Sequence, residues 1–123
     1  MTKKNIDLKL ITPDHLKGYW NVFDRTINKT KSDQFSSISV LHIQSNFFRS
    51  LNGKITEGEY AIFRESEIIY NPQIKFYSNN SEIGNAIITR LFIEEQNNKF
   101  IHKLTLYFSS GLELILKKEE KLN

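Results

Sequence analysis

From Tyr19 to Lys117 the apolar residues recur with a period of two, in runs broken by polar turns. Such alternation is the signature of strands with one face buried and one face wet. Seven runs are readable: about Tyr19–Ile27, Ser37–Ser50, Lys54–Arg64, Glu67–Tyr77, Ala86–Glu95, Lys99–Phe108 and Leu112–Lys117. The second is long enough to need a bend or bulge, and Pro72 in the fourth marks a bulge or an edge because it has no N–H to donate. Asn52-Gly53 is the strongest turn signal, suited to a two-residue type I′ hairpin. Glu65-Ser66, Asn97-Asn98 and Ser109-Ser110-Gly111 are further turns, and Asn28–Ser36 and Ser78–Asn85 are longer polar loops. Strands joined this closely form a meander, and closing the meander removes its edges. The expected fold is all-β: a single antiparallel up-and-down barrel of seven strands, or eight if the N-terminal segment joins.

Ahead of the strands, Thr12-Pro13-Asp14-His15 starts a helix, with Thr12 as cap, Pro13 at the first position and Asp14 at the positive end of the dipole. Gly18 ends it after about one turn. This divides the chain into an arm or short strand at 1–11, a barrel domain at 12–118 and a tail at 119–123. The chain has 123 residues and no cysteine, which suits one core and excludes disulfides and thiolate chemistry. No secretory leader or membrane-length apolar run is present, so the expected location is the cytoplasm, without a membrane partner. The formal charge of +3 sits at the ends: Lys3, Lys4 and Lys9 against Asp7, then Lys117, Lys118 and Lys121 against Glu119 and Glu120. Basic and acidic residues cancel between them, so the excess reads as solvated tails and not as a nucleic-acid surface.

Gly18-Tyr19-Trp20, a Gly-x-Trp on the first strand directly after a one-turn helix, resembles the lipocalin-like, or calycin, proteins, and in particular the short bacterial lipocalin-like domains. The meander extends the likeness over about residues 12–118. The resemblance implies that Trp20 closes the base of the barrel and that the interior or mouth takes a small apolar molecule. It also implies that Asn28–Ser36 is a lid-like loop. The arginine that packs across this tryptophan in the family has Lys117 or Lys118 in its place. A carboxylate-holding Arg-x-Tyr is missing, since Leu91 and Phe92 follow Arg90.

The remaining candidates are single residues. His15, His42 and His102 lie far apart, without metal-ligand spacing, and no metal or cofactor is expected. His102 falls on the face formed by Phe100, Leu104, Leu106 and Phe108, so it could point into the barrel, either as a satisfied core or rim histidine or as a ligand or base. Glu57 and Glu59 share a face but alternate with Gly58 and Tyr60, which look buried; the two carboxylates read as solvated, as do Glu94 and Glu95. Arg90 shares a face with Ile88 and Phe92 by simple alternation, so it lies either inside the barrel or on a partly apolar exterior, and a buried arginine needs an acceptor from the protein or from a bound anion. Arg25 admits the same two readings. The aromatics are spread over every strand, as a core requires, and not clustered for base stacking.

The reading is a non-enzymatic binding protein, monomer or homodimer, holding a small apolar or amphipathic molecule in the barrel. Arg90, His102, Tyr60 and Tyr107 are the expected polar contacts, and Gly18 and Trp20 the closure. The alternative is a protein–protein interaction module (an inhibitor, immunity-type or accessory protein) whose barrel is filled by side chains. An enzyme would need a convergent acid–base pair, which the sequence lacks.

Overall fold

A computed structural model describes residues 2–27, 33–63 and 71–121. The strands are β1 (Thr2–Asn5), β2 (Gly18–Thr26), β3 (Val40–Ile43), β4 (Phe47–Leu51), β5 (Ile55–Phe63), β6 (Gln73–Ser78), β7 (Ser81–Gln96), β8 (Lys99–Phe108) and β9 (Glu113–Lys121). A 3-10 turn at Leu8–Leu10 and a four-residue helix, α1 (Pro13–Leu16), precede β2. Strands β2 to β9 pair antiparallel in chain order, and β9 returns to β2, from Asn21 opposite Lys117 to Thr26 opposite Glu113. The result is a closed eight-stranded up-and-down barrel. β1 stands outside the ring and pairs with the far end of β7, Thr2 opposite Glu95 and Asn5 opposite Phe92.

The eighth barrel strand is not the N-terminal segment. It comes from dividing the long run Ser37–Ser50, which is the hairpin β3–β4 and not one bent strand. No glycine or proline marks that turn. It is stabilised from a distance: the Tyr60 hydroxyl on β5 donates to the Gln44 and Ser45 carbonyls, and the Gln44 N–H donates to the Phe47 carbonyl at 2.8 Å. Asn52-Gly53 does turn the chain, but within a three-residue connection closed by Lys54. There only Gly53 of the pair takes positive φ (91°), where the two-residue turn would need both. Ser78–Asn85 is not a loop. Asn79 and Asn80 take positive φ (53° and 64°) in a two-residue turn, and β7 begins at Ser81. Asn97 and Asn98 turn the β7–β8 hairpin in the same way. β9 runs to Lys121, into the segment read as a tail. The Glu65-Ser66 turn, the first part of the run Glu67–Tyr77 and residues 28–32 of the lid-like loop lie outside the described residues.

The rest of that loop folds inward. Phe35 is buried, its ring 4.8 Å from Phe76, 5.2 Å from Phe108 and 6.1 Å from Phe48 between centroids. Arg25 fixes the segment by donating to the Ser36 carbonyl at 2.6 Å and the Ile38 carbonyl at 2.8 Å. The Ser110 hydroxyl donates to Asp33 at 2.6 Å. Gly84 leaves room for the plug: a Cβ there would meet the Phe35 ring at 2.5 Å. Below Phe35 the core continues as one cluster through Ile74, Ile88, Leu106, Leu114 and Leu41 to Trp20. Side chains therefore occupy the axis of the barrel.

Candidate functional site: the base of the barrel and the groove below it

Trp20 is fully buried at the base of the barrel. Its indole N–H donates to the Leu16 carbonyl at 2.8 Å, tying β2 to the end of α1. His15 serves the same short helix, its Nδ1 accepting from the Thr12 N–H at 3.0 Å. Of Lys117 and Lys118, Lys118 is the one over the indole. Its ammonium lies 4.7 Å from the ring and donates to the Lys17 carbonyl at 2.6 Å. Gly18 takes φ +130°, and a Cβ there would meet the Lys118 stem at 2.5 Å. The glycine thus supplies both the backbone conformation and the space for the lysine.

β7, β8 and β9 continue past this base. Leu91, Leu104 and Leu116 form the last buried row of the ring. One step further the inward positions are Ile93, His102 and Lys118, then Glu95, Phe100 and Glu120, with Lys4 of β1 opposite Ile93. Lys4, Ile93, Glu95, Phe100, His102 and Glu120 line a groove of about 430 Å³ whose surface is mainly apolar. The His102 ring meets the Trp20 indole edge-on at 6.4 Å, and its Nε2 lies 3.3 Å from Glu120. Burial, and then the charge of Lys118, push the His102 pKa below its ordinary value, with Glu120 opposing. At neutral pH the imidazole is uncharged. It donates from Nε2 to the carboxylate and leaves Nδ1 as an acceptor. Burial also lowers the Lys118 pKa, against the opposing charge of Glu120.

The other sequence-predicted residues are dispersed. Arg90 is exposed on the outside of the barrel, over the Phe92 ring. A bulge between Ile88 and Arg90 shifts the alternation, so Ile88 and Leu91 face inward and Arg90 and Phe92 do not. Tyr107 is likewise outside, 46% exposed. Tyr60 is buried, but its hydroxyl serves the β3–β4 turn; burial raises its pKa. Among the described residues Arg25 finds carbonyl acceptors, on Ser36 and Ile38. His42 stacks on Tyr19 at 3.8 Å on the outer face, and Glu57 pairs with Arg49 at 3.2 Å. Among the described residues no three His, Asp or Glu side chains gather as a metal site would require.

The structure therefore brings His102 and Trp20 together, and adds Lys4, Ile93, Phe100, Lys118 and Glu120. The legible signal was the inward face of β8, apolar at Phe108, Leu106, Leu104 and Phe100 and interrupted by His102 alone. What lies opposite it depends on register. A second hollow, of about 610 Å³, sits at the Phe35 end among Asp33, Gln34, Glu82, Asn85 and Ser110 and is mainly polar. Comparisons with models of known protein families, with curated proteins and with solved structures find no match to this chain.

Proposed function

We propose that this chain is a non-enzymatic, lipocalin-like binding protein whose small amphipathic ligand lies in the groove below Trp20, not on the barrel axis. The observation that carries the reading is the groove itself: about 430 Å³, mainly apolar, with Lys4, Glu95, His102 and Glu120 as the polar groups of its lining. Small-molecule sites have this character, an apolar body of roughly 300–1,000 Å³ with a few polar groups that set orientation. Ile93 and Phe100 would take the apolar part of the ligand. His102 Nδ1, Lys4 and the carboxylates of Glu95 and Glu120 would meet its head. The Gly18-x-Trp20 base with Lys118 over the indole supports the likeness to lipocalin-like proteins, and the eight-stranded meander agrees with it.

The test is the intact mass of freshly purified protein under native and denaturing conditions, with anilinonaphthalenesulfonate titrated against Trp20 fluorescence. A native excess of a few hundred daltons, or saturable quenching by the probe, is expected, and Ile93→Asp should remove it. A bare chain mass without quenching, or quenching that Ile93→Asp leaves unchanged, overturns the proposal.

A further inference from the structure

The outer side of the same strands carries a second feature. Cross-strand pairing places Phe92 opposite Lys103, Lys103 opposite Lys117, and Lys117 opposite Asn21. Lys3, Arg90 and Lys103 surround the Phe92 ring at 4.2, 4.9 and 5.7 Å from its centroid. Lys103 and Lys117 share the exposed ring of Phe23 at 4.9 and 5.4 Å. Like charges directly opposite on neighbouring strands are unfavourable, and Lys103 and Lys117 are such a pair. Among the described residues Lys3, Arg90, Lys103 and Lys117 form no ion pair. Carboxylates border them at both ends: Glu94 stands opposite Lys3 and Glu119 pairs with Lys99 at 3.5 Å, and the exposed Asp24 follows Phe23 on β2, opposite Ile115.

We infer that this face, Lys3, Arg90, Lys103 and Lys117 around Phe23 and Phe92, docks an acidic segment of a protein partner. The charge is concentrated: four cations lie across strands β1, β7, β8 and β9, with Phe23 beside them on β2. The span from β7 to β2 is about 14 Å at the usual strand spacing. Carboxylates of an acidic segment neutralise these cations and relieve the Lys103–Lys117 repulsion. A single-stranded nucleic acid also carries anions, but it draws on free aromatic faces for stacking. Here ammonium and guanidinium groups already lie over both rings, so they act as seats for cations. The inference does not depend on the groove, which opens on the opposite face.

The test measures binding of fluorescent poly-glutamate to the full chain by anisotropy at low salt, with oligothymidylate as comparison. Lys103→Glu and Lys54→Glu change the net charge equally, and Lys54 lies in the β4–β5 turn, away from the patch. Lys103→Glu is expected to weaken poly-glutamate binding by about tenfold or more and Lys54→Glu by less than about threefold, with circular dichroism unchanged. Lys117→Gln, a milder change, should weaken it about threefold. Equal losses in the two glutamate variants, or no binding by the parent chain, overturn the inference. Tighter binding of oligothymidylate than of poly-glutamate overturns the partner class.

Discussion

Lys118 shows how one side chain joins distant parts of the chain. It covers the indole of Trp20 and donates to a carbonyl of the segment that follows α1, a contact spanning most of the sequence. Lys118→Ala uncovers the ring and leaves the Lys17 carbonyl without this donor. It should lower stability by about 1–2 kcal/mol. Lys118→Arg should restore most of the loss, read as a denaturation midpoint from the single tryptophan. His102 contributes a pH dependence of known sign. Its folded pKa lies below the ordinary 6.5, so as pH falls from 6.5 the unfolded chain takes up a proton first. Stability therefore declines through the window between 6.5 and the folded pKa, and levels off below it. His102→Gln should flatten that part of a stability-versus-pH curve measured by chemical denaturation. A slope that persists unchanged would assign it to other groups.

At the scale of elements, the plug formed by residues 33–38 decides what the barrel can hold. Phe35 is one of four packed phenylalanines at the end remote from Trp20, and the loop that carries it is pinned by Arg25 and Ser110. Phe35→Ala should cost about 3–5 kcal/mol, the usual range for a buried phenylalanine. It should also open an apolar space on the axis. Calorimetry should show the loss, and the variant should bind benzene where the parent does not. The bulge in β7 acts at the same scale. By placing one extra residue between Ile88 and Arg90 it turns Arg90 outward, and so decides between the interior and exterior positions that alternation left open.

For the molecule as a whole, β7, β8 and β9 are longer than the barrel needs, and the surplus has two faces. One lines the groove below Trp20, and the other carries the cation-rich surface. Because alternate residues of the same strands serve the two faces, substitutions should separate them. Ile93→Asp should abolish probe binding in the groove and change poly-glutamate affinity by less than about threefold, whereas Lys103→Glu should do the reverse. Both are titrations of the intact protein. The two hollows also differ in kind: the one at the Phe35 end is polar and the one at the Trp20 end apolar, so the molecule is chemically unlike at its two ends.

The alternation of apolar residues was enough to establish an antiparallel meander and its closure, because period two and turn chemistry are local properties of the chain. It also placed His102 on the apolar face of its strand and singled out the Gly18-x-Trp20 stretch. Three things needed the tertiary structure. The β3–β4 turn has no glycine or proline, only the polar Gln44-Ser45-Asn46, and a hydroxyl from another strand satisfies its carbonyls. The orientation of Arg90 hung on a bulge, which shifts the inside–outside pattern by one residue without any mark in composition. The basic excess looked like two solvated tails because charge was counted along the chain. Strand pairing brings Lys3, Arg90, Lys103 and Lys117 side by side. Register is a long-range property, and the groove and the cationic face are both products of it.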